Sequence, residues 1–160
     1  MVISGFVMAL LLLLGQTTPV QPMDLELPEL SGGRGSLASY RGKVVLLNVW
    51  STTCPPCRVE IPWLVTLHRE LRPRGFAVIS VSIDDSPERL RPFVEKIGIN
   101  YPVLLGLGAG DRIDAALGGV WALPTTYILD RDGRIARKHV GLTSETQLRQ
   151  WIDEVIRARR

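Results

Sequence analysis

Residues Val44–Trp50, VVLLNVW, form a nearly continuous apolar run rich in β-branched side chains, and after three intervening residues Cys54-Pro55-Pro56-Cys57 opens a stretch of helical periodicity. A run of that kind suits a strand buried on both faces, at the centre of a sheet. The pattern behind it, with Ile61, Leu64, Val65 and Leu67 recurring at three and four, predicts a helix over Pro55–Leu71. The two cysteines therefore stand where a central strand hands over to a helix. They are also the only two in the chain, which excludes a secreted scaffold stapled by several disulfides.

With 160 residues, 46% of them apolar and 22% charged, the chain has the makings of one folded domain. The net charge of +3 is accounted for by Arg157, Arg159 and Arg160 at the end of the chain. A short basic tail on a neutral body is not the charged face that nucleic acid demands, so no nucleic-acid partner is expected. Residues 1–14, MVISGFVMALLLLL, are apolar and uncharged, and prolines follow at 19, 22 and 28. A helix of that length reaches about 21 Å, short of a hydrocarbon core of about 30 Å. The expected organisation is a signal sequence or retained membrane anchor over 1–15, a linker over 16–23, and one domain over 24–160. A buried first helix is the competing reading, disfavoured because the run is apolar on every face. No cysteine follows the run, which excludes lipid attachment there.

Along the body, 24–30 reads as a short strand, 32–35 as a turn and 36–40 as a capped turn. A second buried strand is expected over 76–83, FAVISVSI, and a helix from a capping box at Asp85-Ser86-Pro87-Glu88 to Gly98. A short strand over 101–105 and a short helix over 112–117 come next. Thr125–Leu129 and Ile135–Val140 flank Asp130-Arg131-Asp132-Gly133, an antiparallel hairpin signal, and Ser144 caps a last helix with Leu148, Trp151, Ile152 and Val155 on one face. Strands alternating with helices, then a hairpin, predict an α/β fold with a central mixed sheet flanked by helices.

At the head of a helix the first N–H groups lack partners and the macrodipole is positive, so a sulfur at position 54 is stabilised as thiolate, the nucleophilic form. The prolines fit a first turn that does not need those donors. Cys57, one turn further in, is placed to resolve a mixed disulfide formed at Cys54. Competing readings are two structural cysteines, a zinc site lacking two further ligands, and copper held by both thiolates with His68 or His139. Pro124, ahead of a strand-like run, is either an ordinary strand-initiating proline or the second residue of a cis peptide bond that presents Leu123 to a docking chain. Gly106, Gly108 and Gly110 imitate a dinucleotide fingerprint, but the third glycine falls one position early, and a flexible loop is the better reading.

Together, VVLLNVWSTTCPPCRVEIP over 44–62, Leu123-Pro124-Thr125-Thr126 and the Asp-Gly hairpin resemble the thioredoxin superfamily, and more narrowly its exported TlpA/ResA-like group, which includes DsbE and CcmG. Leu27-Pro28-Glu29-Leu30 and the segment from Ser36 to Lys43 are similar to that group's N-terminal β extension. The resemblance covers about 24–155 and implies a thioredoxin-like fold in which Cys54 attacks, Cys57 resolves, Pro124 is cis, Trp50 packs beside the site and Pro62 kinks the helix. It implies a substrate-binding surface of Trp50, Pro55, Pro56, Leu123 and Pro124. The buried aspartate of cytosolic thioredoxin falls on Asn48 here, and the group's glutamate falls on Glu60, which is expected to exchange protons with Cys57 unless it lies exposed in surface ion pairs. Thr53 replaces thioredoxin's tryptophan. The implied function is extracytoplasmic thiol–disulfide exchange, as a reductant in a role like cytochrome c maturation. The redox-active pair itself serves, with no further cofactor and no metal. The implied partners are disulfide-containing or dithiol proteins and a membrane thiol donor. The alternative is a non-catalytic module that binds copper or a partner through the same thiols.

Overall fold

The computed structural model describes residues 21–158, so the expected signal or anchor over 1–15 and most of the linker lie outside the described residues. Met23 is already part of the domain, buried and donating its N–H to the Gly133 carbonyl at 2.7 Å. Among the described residues the strands are β1 (Glu26–Pro28), β2 (Arg34–Ser36), β3 (Val44–Trp50), β4 (Phe76–Ser82), β5 (Val103–Leu105), β6 (Thr125–Leu129) and β7 (Ile135–Val140). The α-helices are α1 (Pro55–Leu71), α2 (Pro87–Ile97), α3 (Gly110–Leu117) and α4 (Glu145–Arg157). This is the thioredoxin-like α/β architecture expected, with β1 and β2 as the N-terminal β extension. The stretch read as a turn over 32–35 in fact contributes β2, because Gly32 and Gly33 take positive φ and fold the chain back so that Arg34 pairs with Pro28.

The five-stranded sheet runs β5-β4-β3-β6-β7, with β3, β4 and β5 parallel, β6 antiparallel to β3 and β7 antiparallel in turn to β6. β3 is buried at every position, and its side chains divide by parity as strand geometry requires. Val45, Leu47 and Val49 face a cluster with Leu27 and Leu37 of the extension and Ile113 and Leu117 of α3. Val44 and Leu46 face Leu64 and Leu67 of α1 and Leu148 and Ile152 of α4. Asn48 falls on this second parity, opposite α1, and is the sole polar residue in the strand. The extension closes over the β5 edge, where Leu30 N–H donates to Val103 O at 2.9 Å.

The capping box at the head of α2 is not formed. Ser86 occupies the N-cap position without a side-chain hydrogen bond to the helix, and Asp85 is turned inward and buried. By contrast Ser144 caps α4 as expected, accepting Gln147 N–H at 3.1 Å. The Gly106-Gly110 stretch is a packing loop. A Cβ on Gly106 would stand 2.7 Å from the Ser82 carbonyl oxygen and 3.0 Å from Ile83 Cα, so the first glycine is needed for close approach to β4.

His68 completes the sheet at its lower end. Ser80 N–H donates to Pro102 O, but two residues earlier Val78 N–H lies beyond the start of β5, and His68 Nδ1 accepts it at 3.0 Å. Burial, aided by the nearby cations Arg72 and Lys43, lowers the His68 pKa from its ordinary value. The unfolded state therefore binds the proton first, so this contribution is present above about pH 6.5 and is lost as pH falls below it. His68→Leu leaves the Val78 donor unpaired and is expected to cost about 1–3 kcal/mol at pH 7.5. Urea unfolding at pH 7.5 and 5.5 should show the wild type losing more of its stability across that interval than the variant.

Candidate active site

Cys54 occupies the N-cap position of α1 in extended conformation, and its Sγ accepts the Cys57 N–H at 3.3 Å. The chain folds this way because Pro55 and Pro56 cannot donate and sit where a helix has no use for donors. The two sulfurs form a disulfide, with Cα atoms 5.3 Å apart. Cys54 is partly exposed and Cys57 is wholly buried among Trp50, Ile61 and Leu90. A helix N-terminal N–H directed at a sulfur favours the ionised form of a thiol placed there.

Glu60 lies three residues beyond Cys57 on α1 and is fully buried, which removes the surface ion-pair reading. Asn48 Nδ2 donates to Glu60 Oε2 at 2.8 Å and to Thr126 Oγ1 at 3.1 Å, joining α1, β3 and β6 through one amide group. Glu60 Oε1 and Asn48 Oδ1 have no hydrogen-bond partner among the described residues. Burial pushes the Glu60 pKa up to about 7, and the Asn48 hydrogen bond pulls in the opposite direction without cancelling it. Glu60 is therefore a buried carboxyl poised to gain or lose a proton near neutral pH, one helical turn from the inner sulfur.

The Leu123–Pro124 peptide bond is cis. Pro124 O accepts Gly141 N–H at 2.7 Å and Thr125 Oγ1 donates to Ala122 O at 2.7 Å, fixing the turn against the end of β7. Leu123 packs on the apolar cluster that also receives Cys54, so cysteine pair and proline turn share one end of the sheet. Pro55 is exposed and Pro56 partly exposed. Trp50 corrects the expectation of a substrate contact. It is 0% exposed, packed against the Phe93 ring with centroids 5.4 Å apart, and so supports the cysteines from beneath. Pro62 is inside α1 and exposed. Neither histidine joins the sulfurs: His68 is bonded to β4, and His139 packs on Trp151 of α4.

Sequence reasoning missed two features. Trp121, two residues ahead of Leu123, is 87% exposed, a bare aromatic ring on the approach to the cis turn. Asp85 is 1% exposed and is bonded to Thr52 and Ser82. The available signal was the hydroxyl residues at the ends of two apolar strands, which need a buried acceptor.

Fold and site together define a thioredoxin-like protein of the thiol–disulfide exchange class. A family model described as the AhpC/TSA family matches residues 18–138, and the chain belongs to that family. It is 30% identical to the thiol-disulfide oxidoreductase ResA of Geobacillus thermodenitrificans over 143 residues, covering 88% of this chain and 77% of that one. It is 36% identical to the thioredoxin-like protein YneN of Bacillus subtilis, covering 87% and 78%. Among solved structures it matches the thiol:disulfide interchange protein DsbE of Chlorobium tepidum with a TM-score of 0.75 and 28% identity, over 83% of this chain and 93% of that one. The chain is a thiol–disulfide oxidoreductase of the ResA/DsbE type, as its sequence resemblance implied.

The Glu60 carboxyl has a thermodynamic signature. Its folded pKa lies above the unfolded one, so its contribution is favourable at low pH and is lost as pH rises through about 7. A rise from 4.5 to about 7 corresponds to roughly 3 kcal/mol. Glu60→Gln, which cannot ionise, is expected to gain stability relative to wild type by up to that amount between pH 5 and pH 8. Parallel pH dependences in chemical denaturation would show that the carboxyl is not held neutral.

Proposed function

We propose that this protein reduces disulfides in other extracytoplasmic proteins, with Cys54 as nucleophile, Cys57 as resolving thiol and Glu60 as proton acceptor. The observation that carries the reading is the asymmetry of the pair: a partly exposed sulfur capping a helix and facing an N–H at 3.3 Å, and a buried sulfur one turn behind it, with a buried carboxyl three residues further along the same helix. The Cys54 thiolate attacks a partner disulfide, forming a mixed disulfide and expelling one partner sulfur as thiolate. Glu60 takes the proton of Cys57, whose thiolate attacks Cys54 Sγ and releases the second partner sulfur. Two electrons pass to the partner, and the Cys54–Cys57 disulfide remains, to be reduced again by a membrane thiol donor. No cofactor beyond the pair is required.

The partner docks over Pro55 and Pro56 and the Leu123-Pro124 turn, with Trp121 beside it. Location outside the cytoplasm is supported by the apolar run over 1–14. No helix among the described residues is long and apolar enough to cross a membrane. The reducing direction and a role like cytochrome c maturation rest on the likeness to ResA and DsbE. Binding of copper by the two thiols with a histidine finds no support in the placement of His68 and His139.

Cys54→Ser is expected to abolish insulin-disulfide reduction, and Cys57→Ser to accumulate mixed disulfides through Cys54 that gels resolve without reductant. Full turnover by both variants would overturn the roles. In glutathione buffers the pair is expected nearer thioredoxin's potential, about −270 mV, than DsbA's, about −120 mV, and a value at the DsbA end would make the protein an oxidant. Trp121→Ala should raise KM for a folded protein substrate several-fold with little change in kcat or in reaction with small disulfides.

A further inference from the structure

Asp85 is a buried carboxylate for which the exchange cycle has so far no use. Its Oδ2 accepts Thr52 N–H at 2.7 Å and Ser82 Oγ–H at 2.6 Å, and its Oδ1 accepts the Thr52 hydroxyl. Three elements meet there: the segment leaving β3, the end of β4 and the entry to α2. The segment it grips, 51–53, delivers Cys54 to the helix terminus. Within it Thr53 N–H turns to Ser51 Oγ at 3.2 Å and Cys54 N–H to Ser51 O at 3.2 Å, so those donors point away from the attacking sulfur. Thr52 and Cys54 Cα atoms are separated by two peptide units, about 7 Å at most, which places the Asp85 charge within roughly 10 Å of the Cys54 backbone.

We propose that Asp85 is a positioning residue for the attacking cysteine: its carboxylate fixes the turn before Cys54 and sets a negative charge behind it, making the thiol less acidic than the helix terminus alone would. A less stable thiolate makes the dithiol a better electron donor, so Asp85 helps hold the pair on the reducing side, and the inference rests on the exchange reading given above. The other charged groups around the turn are few. Arg89 Nε lies 4.0 Å from Asp85 Oδ1 with its side chain 61% exposed, and is its partial counterion. Asp84 and Glu88 are exposed to solvent, where their fields are screened. From α1, Arg58 lies over the Phe93 ring at 5.9 Å and Glu60 is buried beyond Cys57. From the 123–124 turn no charged side chain contributes.

The test is the pH profile of Cys54 alkylation by iodoacetamide in the reduced full-length chain, with the modified residue identified by peptide mass, together with equilibration in glutathione buffers. Asp85→Asn keeps the shape and removes the charge. It is expected to move the alkylation midpoint to lower pH, raising the thiolate fraction at pH 7 roughly threefold to tenfold, and to shift the glutathione equilibrium toward the dithiol. Arg89→Gln, at an exposed position that does not threaten folding, exposes the Asp85 charge and is expected to move the midpoint the other way. A folded Asp85→Asn protein with an unchanged midpoint, or one moved to higher pH, overturns the proposal. If Asp85→Asn does not fold, an unchanged midpoint in Arg89→Gln overturns it. These failures leave Cys54-dependent exchange intact, whereas failure of the exchange reading itself appears as wild-type protein with no such turnover.

Discussion

The N–H of Cys57 directed at the sulfur of Cys54 is the contact on which the site depends, and it exists only because a fully buried strand ends at Trp50 and a helix must begin at Pro55. β3 is committed to the sheet centre by pairing with β4 on one side and β6 on the other, so its exit point is fixed. α1 is committed to the sheet face by Ile61, Leu64 and Leu67, all 0% exposed, so its first turn is fixed as well. With both elements held by burial, the cap between them cannot relax to suit the sulfur. The sulfur must accept whatever field the terminus provides.

Two buried carboxylates modify that field, and the fold places them on separate sulfurs. Glu60 lies on the inner cysteine's side of α1 because i and i+3 on a helix share a face, and its anchor, Asn48, is the one polar residue on the β3 parity that looks toward α1. Asp85 belongs to the outer cysteine's turn, gripped by the residues that leave β3 and β4. Neither carboxylate is satisfied by an ordinary close ion pair. Glu60 has one oxygen without a partner among the described residues, and Asp85 has Arg89 only at 4.0 Å. Each retains an electrostatic influence that a tight salt bridge would have quenched.

Most of the architecture was legible because it is written in periodicity. The unbroken apolar β3 and β4, the three-and-four spacing of α1 and the Asp-Gly turn between β6 and β7 each report local geometry directly. So does the cysteine pair, since its meaning follows from its place at a strand-to-helix junction. What could not be read is partner choice. Asp85-Ser86-Pro87-Glu88 satisfies the pattern of a capping box, yet the carboxylate turns to Thr52, 33 residues away, because two hydroxyls and an N–H at the strand ends would otherwise be buried without an acceptor. The family resemblance likewise puts Trp50 on the substrate-binding surface, and the packing of Phe93 against it shows that it lies beneath that surface. The pairing of Asn48 with Thr126 depends on the register of β3 against β6, which no local signal contains.

The separation of the two acids has a consequence for the order of events. In the proposed cycle the first step needs an ionised Cys54 in contact with solvent and partner, whereas the second needs Cys57 to lose its proton while the partner still covers the site. A buried carboxyl pushed up to about 7 is suited to the second step because covering the site excludes water as an alternative acceptor. It is unsuited to the first, since Glu60 lies three residues beyond Cys57 and six beyond Cys54. Conversely, an anion tied to the 51–53 segment acts on the free enzyme, before any partner arrives, and so bears on the driving force of the first attack rather than on resolution. A chain with one acid serving both sulfurs would couple the two steps, and tuning one would disturb the other. Here Glu60 is bound to β3 and β6 and Asp85 to the ends of β3 and β4, so the strand that positions the cysteines also keeps their two controls apart.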